Sequence, residues 1–290
     1  MSIIGAIILG VLQGVTAFFP VSSSGHLVVV GRLLGADEAV NLSYLAMMHI
    51  GTLIAVIFSF RSDLSRVLAS MAGMCGDVFT NVRLLVKNYR HSETGDYHRI
   101  LTTNYRRFTA MMMISTLTSA AIFLALRPFA RMGADNLLIT ATGMSITALT
   151  LFISSFTRNT GKKPAGTRIR DALVIGVLQG LAVMPGISRL GMILAGAGIC
   201  GFSRKYMVKY AFLLSIPAII GGVLTEGRFG MASIAANVGV GCMMAGIVFA
   251  ALVGCLVLRL SQRVLSGKRS WIFSSYCLIA GILTMVIYLF

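Results

Sequence analysis

The sequence predicts an all-α polytopic membrane protein: six transmembrane helices and two re-entrant helical hairpins, arranged as an inverted-topology repeat. Three observations lead there. Apolar runs of spanning length recur along the chain, one short motif occurs twice, and the basic residues gather in alternate inter-span stretches. With 57% hydrophobic and 12% charged residues among 290, and a mean hydropathy of +0.87, the chain has too little polar surface to cover a soluble globule.

Crossing a bilayer takes roughly 17 to 25 apolar residues. Residues 44–60, 108–126, 137–156, 207–224, 235–258 and 271–290 meet that requirement. The N-terminal run 3–19 has no basic residues ahead of it and leads into Pro20 and serines instead of a small-residue cleavage site, so it reads as a retained segment, not a signal peptide. Gly10-Val11-Leu12-Gln13-Gly14 recurs as Gly176-Val177-Leu178-Gln179-Gly180, and the same offset sets residues 44–50 on 210–216. The chain thus divides into repeat 1 (1–156) and repeat 2 (157–290) of one integrated membrane domain.

In each repeat the Gln-Gly element leads to a proline (Pro20, Pro185) and a short polar segment between two apolar pieces. Broken backbone at membrane depth is tolerable only where it is buried in protein or lines a wet cavity. Residues 3–34 and 172–201 are therefore expected to be re-entrant hairpins. Eight or more proline-kinked spans is the competing reading.

The net charge of +16 would suggest nucleic acid in a soluble protein. Here most of the basic residues collect in 61–107, 158–170 and 259–269, which the positive-inside rule puts in the cytoplasm, where they can meet anionic lipid head groups. Nucleic acid is accordingly not an expected partner. With those stretches inside, span 44–60 begins outside and hairpin 1 enters from the outer face. Hairpin 2 enters from the inner face, so the repeats are inverted, as in transporters that bind their substrate near the midplane. The five cysteines are scattered without paired spacing and read as small buried hydrophobes.

The hairpin tips gather Ser22, Ser23, Ser24, Gly25, His26, Ser188 and Arg189, with Gln13, Thr16 and Gln179 nearby. Hydroxyls and free N–H groups at helix starts donate to phosphate oxygens, and a guanidinium grips two oxygens at once. Arg189 is the one basic residue expected at a tip, and a charge at that depth is a functional candidate. His26, beside three serines, would act as nucleophile or general base, with Ser23 and Arg189 completing the catalytic set. His49, within a span, reads as an interhelical hydrogen-bond former. All nine acidic residues are expected in loops or at membrane edges, so no metal-ligand set is predicted.

Residues 13–26, Gln-Gly-Val-Thr-Ala-Phe-Phe-Pro-Val-Ser-Ser-Ser-Gly-His, resemble the first signature of the undecaprenyl pyrophosphate phosphatases. Residues 185–189, Pro-Gly-Ile-Ser-Arg, resemble the start of the second, and residues 49–55 and 212–217 also fit. The resemblance runs through nearly the whole chain. It implies hydrolysis of undecaprenyl pyrophosphate to undecaprenyl phosphate with Mg²⁺ or another divalent cation, in the recycling of the cell-wall lipid carrier. It also implies a multi-pass protein of the bacterial inner membrane with its site open to the outer side; the oligomeric state is open, a homodimer included. Departures from the family pattern share a direction. Ala17 stands where a catalytic glutamate belongs, Leu190 and Ile193 replace a serine and a threonine, and Leu45 replaces an acidic residue. Without a carboxylate at the tips, a magnesium ion would depend on lipid phosphates and waters. A hydrolytically silent homologue that binds or translocates polyprenyl phosphate is the alternative implied by these losses, and a transporter of another anion is a third reading.

Overall fold

The computed structural model describes residues 1–36, 41–91, 96–132, 136–157, 160–267 and 270–290, with side chains for all of these except 91 and 228–237. Asp37, Glu38, Glu93, Asp135, Arg158, Lys268 and Arg269, used above in placing charge, lie outside the described residues.

Eleven α-helices make up nearly all of the described chain, with a short 3-10 turn at Pro164–Gly166 and no strand among the described residues. Six helices are long and apolar enough to cross a membrane: α3 (Leu42–Ser59), α5 (Asn104–Met132), α6 (Leu137–Ser155), α9 (Arg204–Asn237), α10 (Val240–Leu265) and α11 (Ser270–Leu289). The fifth begins later than the apolar run implies. Gly239, at φ 82°, breaks the chain ahead of Val240, so residues 235–237 belong to the end of α9.

Four further helices are short. α1 (Ile3–Thr16) and α2 (Ser23–Leu33) are 14 and 11 residues long, and α7 (Ile169–Leu181) and α8 (Arg189–Ile199) are 13 and 11. At about 1.5 Å per residue none reaches across a hydrocarbon core of about 30 Å, as the hairpin reading requires. α4 (Arg61–His91) was expected as an inter-span stretch and is instead a 31-residue helix. Leu64, Val67, Met71, Met74, Val78 and Val82 share one face of it while Arg83, Lys87 and Arg90 occupy the other, a helical periodicity that the basic composition of the stretch obscured.

The doubled motif builds the helix contacts. α1 packs on α10 and α7 packs on α5, so each half of the chain lends a helix to the other. A Cβ added at Gly10 would lie 2.5 Å from the Gly246 carbonyl oxygen, and one at Gly176 would lie 2.7 Å from the Ser115 carbonyl oxygen. Gly14 and Gly180 approach Ala250 and Ile122 in the same way. These are small-xxx-small interfaces, in which missing side chains let backbones close where no hydrophobic effect drives association. We expect Gly10→Leu to lower stability by about 1–3 kcal/mol through overpacking, measured as an earlier thermal transition in detergent; an unchanged transition would show that α1 yields freely.

The polar ends of the helices are tied to one another. Asp63 on α4 pairs with Lys209 of α9 at 2.6 Å and accepts a hydrogen bond from Tyr105 of α5. Asp171, at the start of α7, accepts from the Arg168 backbone N–H at 2.8 Å and pairs with Lys162 at 2.9 Å.

Candidate functional site

Both hairpins turn at non-helical backbone, and each turn is satisfied by side chains of neighbouring spans. Ser261 donates to the Phe18 carbonyl, and the Cys277 thiol lies 3.3 Å from the Pro20 carbonyl. In the second tip Thr147 Oγ1 accepts from the Ser188 N–H at 2.9 Å and lies 3.3 Å from the Gly186 carbonyl. The tips touch. A Cβ on Gly25 would come within 3.3 Å of Gly186, and Gly186, at φ 82°, has no room for one, since it would lie 2.0 Å from the Thr140 carbonyl oxygen. Ser22 adopts φ 67°, a left-handed conformation rare for serine and held here by the cap it makes.

Ser22 and Ser188 occupy matching places. Each is an N-cap, accepting from Gly25 N–H at 3.2 Å and from Gly191 N–H at 3.1 Å respectively. The starts of α2 and α8 therefore sit together, and Ser23, Ser24, Ser188 and Arg189 open onto one cavity of about 100 Å³. Thr16 and Ala17 of the first tip, His49 and Thr52 of α3, and Ser215 of α9 also line it, against apolar walls that include Phe18, Val56 and Phe212. Two helix N-termini bring positive dipole ends to this space. Among the described residues the half-buried Arg189 guanidinium has no hydrogen-bond or ion-pair partner, so its donors remain available to a ligand.

Five residues expected at the site lie beside the cavity instead of on it. Ser22 and Gly25 are buried in the cap, and Gln13 is fully buried between helices with both amide atoms unpaired. Gln179 Nε2 donates to the Leu214 carbonyl at 3.3 Å. His26 turns away, with its Nδ1 2.7 Å from the Ser22 carbonyl and its Nε2 2.8 Å from the Tyr276 hydroxyl, on which the ring also stacks.

Two residues that sequence reasoning set aside do line the cavity. His49 is one. Glu226 is the other: it lies toward the end of the α9 span, at an edge as expected, but it is buried there, 2% exposed, and faces the cavity. α9 runs unbroken past residue 224, and α5 offers two arginines one turn apart as partners. Arg131 binds Glu226 at 2.8 Å and Arg127 binds its other oxygen. Arginines spaced i, i+4 near a span end were the available signal for a buried counter-charge.

The implied divalent cation fits these residues poorly. A hard cation takes oxygen donors with carboxylate among them, and among the described residues the one carboxylate on the cavity is already held by two arginines. Among the described residues there is no cluster of three His, Cys, Asp or Glu.

The family described as Bacitracin resistance protein BacA matches residues 6–283 of this chain. A protein named Undecaprenyl-diphosphatase from Methanosphaera stadtmanae is 32% identical over 99% of this chain and 98% of its own length. Others of that name are 32% identical in Thermosipho melanesiensis, over 97% and 98%, and 30% in Alkaliphilus metalliredigens, over 97% of each. Six spanning helices, four half-length ones and similarity over the whole length of the chain agree on one assignment: the chain belongs to the BacA family of bacitracin resistance proteins.

Proposed function

We propose that this protein hydrolyses undecaprenyl pyrophosphate to undecaprenyl phosphate, binding the pyrophosphate at the two hairpin tips. The observation that carries the reading is the Arg189 guanidinium, without a hydrogen-bond or ion-pair partner among the described residues and set between two helix N-termini in a cavity otherwise supplied with hydroxyls. Arg189 grips two phosphate oxygens and offsets the charge that the leaving phosphate gains. Ser23 and Ser24, in the first turn of α2, donate to the remaining oxygens.

The two repeats are inverted, and the cavity faces the outer side of the cytoplasmic membrane. Its lining supports this, since it reaches Leu42 at the start of α3 and Glu226 beyond the middle of α9, the two ends assigned outside by loop charge. The prenyl chain then stays in the bilayer while the headgroup enters. A homodimer is not needed, because one chain supplies every group named.

The silent-homologue reading rests on Ala17, which lines the cavity where the family pattern has a glutamate. Phosphate release from undecaprenyl pyrophosphate by the purified protein, with magnesium and with chelator, separates the two. Turnover supports the phosphatase, and retained turnover in chelator agrees with the donor set described. Binding without release supports a carrier or sensor.

A further inference from the structure

We propose that His49 is the general base of this hydrolysis, taking through its Nε2 the proton of the water that attacks the terminal phosphorus. The inference rests on the phosphatase reading above and deepens it. It starts from what on the cavity can accept a proton. The titratable residues lining it are His49, Arg189 and Glu226. A guanidinium is no base, and both Glu226 oxygens are bound by arginines. Glu226 also lies eleven residues beyond Ser215, about 16 Å along a helix.

His49 is differently placed. Its Nδ1 is 2.6 Å from the Leu45 carbonyl oxygen. A carbonyl only accepts, so the proton is on Nδ1 and Nε2 carries the lone pair. Among the described residues no partner reaches Nε2. His26 makes the same backward bond to Ser22, but its Nε2 lone pair already accepts from Tyr276. The two histidines therefore share a tautomer and differ in whether the basic nitrogen is open to the cavity. Ala17 lines the same cavity, so His49 supplies a base where the glutamate is missing.

In the step, the water oxygen bonds to the terminal phosphorus as the bond to the bridging oxygen breaks. The bridging oxygen leaves with the electron pair as the lipid monophosphate, Arg189 holds the oxygens in place, and the water proton passes to Nε2 and then to solvent. The charged groups facing His49 across the cavity are Arg189 from α8 and Glu226 from α9, the latter bound to Arg127 and Arg131 of α5. α1 and α2 present hydroxyls and apolar groups, and neither α4 nor α10 contributes a lining residue.

The test is phosphate release from undecaprenyl pyrophosphate in liposomes between pH 3 and 9, by the full chain and by H49Q, H26Q and H49A, with lipid affinity and thermal unfolding measured on each. H49Q should lose on the order of 10²- to 10⁴-fold in kcat with KM within a few-fold. The parent's rate should fall toward acid pH, because a protonated imidazole accepts nothing; that limb should vanish in H49Q and persist in H26Q. H49A should regain part of its rate with added imidazole, which keeps the idea testable where the glutamine variant folds poorly. Turnover by H49Q within threefold of the parent, acid limb intact, or no imidazole rescue of a folded H49A, overturns His49 alone. A parent that binds the lipid and releases no phosphate overturns the phosphatase reading, and the role of His49 with it.

Discussion

Arg189→Ala should all but abolish binding of the lipid pyrophosphate while leaving the fold intact. Truncating one partner of a buried, hydrogen-bonded charge pair costs about 2–5 kcal/mol, on the order of 30- to 5,000-fold in affinity. The fold should be spared because Arg189 has no acidic partner among the described residues, so its removal orphans no carboxylate. Thermal stability is therefore expected to hold or rise slightly. Arg189→Lys should recover part of the affinity, since an ammonium offers the charge without the two-point grip. Titration of each variant with undecaprenyl pyrophosphate in detergent, beside a thermal melt, reads both quantities. Equal affinity in the alanine variant would take Arg189 out of the site.

The second large effect is a gain. Restoring glutamate at position 17 should raise phosphate release by on the order of 10² to 10⁴, the usual worth of a positioned acid or base, with lipid affinity changed only a few-fold. Ala17 lines the cavity at the end of α1, so a carboxylate there would face the phosphates. The same position sets a cost, because an acid at a helix C-terminus opposes the dipole by about 0.3–1 kcal/mol. Serine at position 190 is a reasonable companion, since Leu190 also lines the cavity. Threonine at 193 is not: Ile193 is fully buried in the core, and a hydroxyl there would need a partner. A17E should also rescue H49Q if both groups serve as the base. A folded A17E that binds lipid without releasing phosphate any faster would favour a binding or translocating protein.

The spans and the breaks were legible because each has a local cause: a run of apolar residues, or proline and serine interrupting one. Arg189 was legible for the same reason, a lone cation in an apolar stretch. Which of His26 and His49 lines the cavity was not legible in local sequence: the tip histidine was expected there, and it is His49 that the cavity reaches. Both sit four residues past a carbonyl that takes their Nδ1 proton, and what separates them is Tyr276, some 250 residues from His26 in the chain. Gln13 and Gln179 look polar and accessible in sequence, yet the glycines beside them draw α1 and α7 so close to their neighbours that the amides are enclosed. α4 was hidden by its charge, which describes one face of a helix and not the whole of it.

The exchange of first helices between the halves has a consequence for biosynthesis. α7 meets α5 as soon as it emerges, because Ser115 and its neighbours have already been made when Gly176 leaves the ribosome. α1 has no such luck. Its seat is Gly246, 236 residues later in the chain (246 − 10). At about 5–20 residues per second, the N-terminal helix waits on the order of ten to fifty seconds with Gln13 and the first tip unsealed. The helix that carries Gly10 is thus among the last of the described helices to be locked, and membrane chaperones and proteases have their opening there while the chain is being made.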